Sequence, residues 1–171
     1  MAETALVVLL PELELLIGGW RRLYTGDGAR GMPPHVTLIF PFADSADLAD
    51  RLSRLGQILG AAAPFEVTLA ETARFPGLLY LRPKPHEPFV GMTEALVATF
   101  PEFPPYGGRF EEIVPHVTVA EADESVLAGA ERELVPKLPV KARVERVWLV
   151  ENAPPGWRRH TAFPLDRHRG V

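Results

Sequence analysis

The sequence predicts an α+β fold built as two similar lobes, and three observations lead there. The tetrapeptide Pro34-His35-Val36-Thr37 returns as Pro115-His116-Val117-Thr118, 81 residues later. Behind each copy the same order of patterns follows: a β-branched strand, a helical stretch, a strand, a turn and another strand, the mark of an internal repeat. The 171 residues suit one ordinary domain, and a chain of that length buries about 70% of the surface its unfolded form exposes.

Taken in order, residues 4–10, TALVVLL, read as a buried first strand. Pro11 suits the first turn of a helix running to about Tyr24. Residues 25–34, TGDGARGMPP, then read as a loop. From His35 to Phe40 the chain is strand-like, and alternation puts His35, Thr37 and Ile39 on one face with Val36, Leu38 and Phe40 on the other. Asp44-Ser45 reads as a cap for a helix in which Leu48, Leu52, Leu55 and Leu59 recur at helical spacing. The strands FEVTLAETARF and LLYLRP follow, joined through Pro76-Gly77 as a hairpin. A third helix covers about 88–100, with Met92, Leu96 and Phe100 on one face, and a Pro- and Gly-rich segment leads to the second motif, where His116 and Thr118 again share a strand face. A helix from about Glu124 to Val135, one long alternating strand VKARVERVWLV and a last strand WRRHTAFPL complete the chain. The repeats thus run over about 35–83 and 116–165 of a single domain, and DRHRGV reads as a frayed basic tail.

Composition narrows the function. With no cysteine, disulfides, thiolate metal sites and a cysteine nucleophile are excluded. The first residues lack a basic leader and their apolar run is too short for a membrane span, so a cytoplasmic protein without a membrane partner is expected. A net charge of -4 argues against a broad basic face for long nucleic acid, but not against a small phosphorylated ligand in a local pocket. Pro, at 18 of 171 residues, is about twice its usual share of ~5% and marks loops between elements.

The repeated phrase carries the chemistry. If the two halves pack about a pseudo-twofold axis, two imidazoles and two hydroxyls converge on one cleft. Such a set suits phosphodiester chemistry: one imidazole takes a proton from the attacking oxygen while the other delivers one to the leaving oxygen. Histidine, with an ordinary pKa of ~6.5, can serve either role near neutral pH. The threonine hydroxyls would hold the non-bridging oxygens. A lone histidine at a strand mouth beside a threonine is ordinary sheet packing; the matched pair in equivalent places is what points to a site. A zinc site would need a third ligand, and neither His86 nor His160 has the spacing; Glu121 is the best placed carboxylate.

The motifs HVTL at 35–38 and HVTV at 116–119, with the element order over nearly the whole chain, resemble the two-histidine phosphoesterases, in particular their 2'-5' RNA ligase-like branch. The segments FPGLLYLRP and FPEFPPYGG also look like parts of bacterial members. The resemblance implies a bilobal α+β fold, with duplicated antiparallel sheets, flanking helices and a central cleft. It further implies cleavage or formation of 2',3'-cyclic or 2'-5' phosphodiesters in nucleotides or RNA ends, with His35, Thr37, His116 and Thr118 as the catalytic quartet. No cofactor or metal is expected, and the oligomeric state expected is a monomer. The chain lacks a Gly-x-x-x-x-Gly-Lys phosphate loop, so ATP-driven ligation is not expected and hydrolysis stands ahead of ligation. A binder of a phosphorylated nucleotide, without catalysis, needs the same donors and stays open as an alternative. Around the quartet, Phe42, Tyr80 and Tyr106 are candidates to stack on a base, and Arg74 and Arg109 to neutralise a phosphate. Each also has an ordinary packing or surface explanation.

Overall fold

The computed structural model describes residues 2–108 and 112–166. Arg109 and the tail after Asp166 lie outside the described residues. Among the described residues eight strands form two antiparallel sheets of four. In chain order they are β1 (Glu3–Leu9), β2 (His35–Ile39), β3 (Phe65–Phe75), β4 (Leu78–Lys84), β5 (Val117–Glu121), β6 (Val140–Val144), β7 (Arg146–Ala153) and β8 (Gly156–Pro164). One sheet has the order β2-β1-β7-β8, the other β5-β4-β3-β6. The helices are α1 (Glu14–Tyr24), α2 (Gly26–Ala29), α3 (Leu52–Gly60), α4 (Glu87–Thr99) and α5 (Glu124–Leu134). Among the described residues no helix is long and apolar enough to cross a membrane.

The α+β class and the duplicated antiparallel sheets are as the sequence predicts. Each sheet combines one motif strand with strands that follow the other motif: β3 and β4 come after the first motif yet pair in the sheet of β5, while β7 and β8 pair in the sheet of β2. The helices cross over as well, α1 lying against β5 and α4 against β2. One face of each sheet feeds a common core in which Leu6 and Val8 of β1 join Leu79 and Leu81 of β4 and the buried stripes of the helices. The opposite face of the first sheet carries a second, smaller cluster of Ala5, Val7, Met32 and Val150.

The two motif strands share an irregularity. Thr37 pairs with Val7 and Ile39 with Leu6, so Leu38 is an extra residue; likewise Thr118 pairs with Tyr80 and Ala120 with Leu79, so Val119 is extra. Both bulges fall three residues after the motif histidine, and a bulge shifts the alternation by one. Ile39 therefore turns into the main core with Val36 and Leu38, not onto the histidine face as simple alternation predicts. Phe40 turns the other way, onto the small cluster, where it meets Trp157 edge-on at 6.0 Å.

Three more expectations change. The helix expected from Asp44 begins at Leu52; Asp44 Oδ1 instead accepts from the Ala46 amide, at 3.0 Å, at the start of a 3-10 turn. There Arg51 spends its amide on Leu48 and its guanidinium on the Asp47 carbonyl, which keeps the chain out of α-helical register. The long strand over 140–150 is two strands in different sheets, split at Glu145, where the adjacent exposed charges Glu145 and Arg146 break the alternation. The loop over 25–34 contains α2, with Thr25 Oγ1 accepting from the Gly28 amide at 2.9 Å. That segment is fastened to the β7–β8 hairpin. The Trp157 amide donates to the Arg30 carbonyl at 2.8 Å, so close that a Cβ on Gly156 would collide with the same carbonyl.

Candidate active site

Both motif histidines are held in the same manner. His35 Nδ1 donates to the Pro33 carbonyl at 2.8 Å and His116 Nδ1 to the Val114 carbonyl at 2.7 Å. A carbonyl only accepts, so Nδ1 carries the proton in each neutral ring and Nε2 keeps its lone pair for a ligand. Each acceptor precedes the motif proline, whose ring keeps that residue extended and fixes where its carbonyl points. Thr37 and Thr118, both half-buried, stand two residues on along their strands, opposite Val7 and Tyr80.

The halves meet through Arg21, a residue the sequence reading passed over. Its guanidinium is 1% exposed. Nη1 donates to the Thr118 carbonyl at 2.8 Å, while Nη2 donates to Asp27 Oδ1 and to the Met32 carbonyl, each at 3.2 Å. Asp27 Oδ2 in turn lies 3.6 Å from His35 Nε2. Three successive contacts therefore lead from the first motif's ring to the second motif's backbone. The signal was present: Leu13, Ile17 and Arg21 recur every four residues on the face that α1 buries, and an arginine there needs a partner. Asp27 carried no such signal, because its place depends on α2.

The two rings differ in electrostatics. Burial, then the Arg21 charge, push the His35 imidazole down to about 4, against the pull of Asp27 and the Pro33 carbonyl, with a last downward contribution from the His116 charge. His116 is also lowered by burial, opposed by the Val114 carbonyl. Burial would raise the Asp27 carboxyl, but Arg21, His35, Thr25 and the Gly28 amide outweigh it and hold Asp27 below its usual value. Around His116 stand three aromatic rings: Phe75 at 5.3 Å and Tyr80 at 5.5 Å, both edge-on, and Tyr106 stacked at 5.9 Å. Among the described residues no group of three or more His, Asp or Glu side chains could hold a metal ion.

The other candidates fall into three groups. Tyr80 and Tyr106 border His116; the Tyr106 phenol is pushed by burial up to about 12, and its backbone lies in the left-handed region at φ 54°. Phe42 is placed in the core, 5.6 Å from Phe100 and 4.9 Å from Phe103, and Arg74 is held by Glu124 at 2.6 Å and Glu131 at 3.0 Å of α5. These contacts engage both side chains in packing and ion pairs rather than with the quartet. Arg109 lies outside the described residues.

Residues 9–154 match the profile of the 2'-5' RNA ligase superfamily. Among solved structures, TT0787 of Thermus thermophilus is 23% identical with a TM-score of 0.65, over 96% of this chain and 98% of that one. E. coli LigT complexed with 3'-AMP is 16% identical with a TM-score of 0.59, and LigT complexed with phosphate 16% identical with a TM-score of 0.57; in both the match covers 96% of this chain and 98% of that one. No curated protein matched at a significant level.

Proposed function

The chain belongs to the 2'-5' RNA ligase superfamily, and on that premise we propose that it is a metal-independent phosphodiesterase acting on 2',3'-cyclic phosphate or 2'-5' linkages of nucleotides or RNA ends. The observation that carries this reading is the set of contacts through Arg21, which links the two His-x-Thr strands across the lobes. Two LigT structures of the same fold contain 3'-AMP and phosphate, which supports a nucleoside phosphate as ligand.

In this reading His35 is the general base and His116 the general acid for hydrolysis of a cyclic phosphate. His35 stays neutral because burial and Arg21 oppose its protonation. His116 is lowered by burial too, but the Val114 carbonyl opposes that and, among the described residues, no guanidinium charge adds to it, which suits this ring to the acid role. His35 Nε2 takes a proton from water as the water oxygen bonds to phosphorus. The bond from phosphorus to one ribose oxygen breaks, and His116 Nε2 gives that oxygen its proton. The product is a phosphomonoester beside a hydroxyl, with the roles of the rings exchanged. Thr37 and Thr118 donate to the non-bridging oxygens, where charge grows. Ligation is the reverse, with a ribose hydroxyl in place of water.

Incubation with 2',3'-cyclic nucleotides and 2'-5' dinucleotides, with and without a chelator, tests the proposal. Turnover is expected to persist in the chelator, and His35→Ala or His116→Ala to lower kcat by roughly 100- to 10,000-fold, the usual contribution of a positioned acid or base. Loss of activity on chelation would replace this chemistry with a metal-assisted one. Tight binding without turnover would make the protein a binder.

A further inference from the structure

The open face of the first sheet carries groups that the phosphoryl chemistry leaves unused. Thr37 pairs with Val7, and Val7 pairs on its other side with Trp148, so the three side chains stand in one row on one face. Antiparallel neighbours lie about 4.8 Å apart, which puts Trp148 roughly 10 Å from Thr37, within reach of the base of a nucleotide whose phosphate sits at Thr37. Trp148 is only half-buried, resting on the small cluster beside Leu9, Phe40 and Trp157. Exposed Arg159, opposite Val150 in the next strand, lays its guanidinium 5.0 Å from the Trp148 ring centroid. Among the described residues Arg159 makes no ion pair, unlike its neighbour Arg158, which pairs with Glu151 at 3.0 Å. Arg159 also borders a cavity of about 300 Å³ whose wall includes Met32 and Pro33, and Pro33 is the residue that holds His35.

We propose that Trp148 and Arg159 form a nucleobase-binding ledge. This deepens the phosphodiesterase reading, on which it rests, by making the substrate a nucleoside phosphate whose base stacks on the indole and meets the guanidinium. The charge balance argues the same way. With 18 basic residues against 22 acidic ones, the chain gains little affinity from a run of backbone phosphates, and a stacked base is the other large source available.

Adenosine 2',3'-cyclic phosphate and 1-O-methylribose 2',3'-cyclic phosphate, which lacks the base, separate the two contributions. Wild type is expected to favour the nucleoside by roughly 10- to 100-fold in kcat/KM. Trp148→Leu collapses that preference, Trp148→Phe keeps most of it, and Arg159→Gln, an exposed change that spares the fold, reduces it several-fold. Independently of turnover, 3'-AMP quenches tryptophan fluorescence through Trp148 while inorganic phosphate does not, and Trp148→Leu removes the quench. An undiminished preference in Trp148→Leu, or in Arg159→Gln should the leucine variant fail to fold, overturns the ledge. Quenching by 3'-AMP through Trp148 without turnover of either cyclic phosphate keeps the ledge and overturns the phosphodiesterase reading. Equal turnover of both cyclic phosphates by wild type, without quenching, overturns the ledge alone.

Discussion

His35 and His116 occupy matching places in a repeated phrase and donate through the same nitrogen to the same kind of carbonyl, yet one sits beside an arginine and a carboxylate and the other among aromatic rings. On the proposed chemistry that difference separates base from acid, a choice that nothing in Pro-His-Val-Thr makes. It also makes stability depend on pH. His35 titrates near 4 in the folded chain but at ~6.5 when unfolded. Between those values the unfolded chain binds the proton and the folded chain does not, so this contribution is complete above 6.5 and is lost as pH falls from 6.5 toward 4. Denaturation by urea at a series of pH values is expected to show stability falling through that window by up to about 1.4 kcal/mol per pH unit from His35. His35→Asn is expected to flatten the slope; an unchanged slope would contradict the assignment.

At the scale of elements, the paired bulges turn each motif strand's hydrophobic residues into the core while leaving His and Thr on the open face. A bulge leaves backbone groups without a ladder partner, and the two halves supply different ones. In β2 the Leu38 carbonyl accepts from the Thr93 hydroxyl of α4 at 3.1 Å; in β5 the Thr118 carbonyl accepts from Arg21 of α1. Thr93→Val keeps the shape and removes the donor, leaving a buried carbonyl unsatisfied, and is expected to cost about 1–3 kcal/mol in chemical denaturation. A neutral result would mean that the bulge closes without it. Most elements were legible because their signals are local: the leucine spacing of α3 and the Pro76-Gly77 turn, where Gly77 takes φ 71°. The break at Glu145 was missed, although the slip from two-residue to three-residue spacing between Val144 and Val147 marks it. The bulges and α2 were not legible, because each depends on partners distant in sequence.

Across the whole molecule, each sheet is completed by strands from the far part of the chain, and Arg21 fastens the halves where they meet. The repeated His-x-Thr phrase was legible because it survives in the letters, whereas Arg21 and Asp27 meet through a tertiary contact that no single segment encodes. Arg21→Met is expected to cost about 3–5 kcal/mol, since it strips a partly buried carboxylate of its partner, and to move the His35 imidazole up from about 4 toward its ordinary value, readable by NMR titration. A crystal structure with inorganic phosphate tests most directly whether the two rings act on one group. The expected result is a single phosphate with Nε2 of His35 and Nε2 of His116 both within about 2.6–3.2 Å of its oxygens; a phosphate that touches only one ring, or neither, would contradict the shared site.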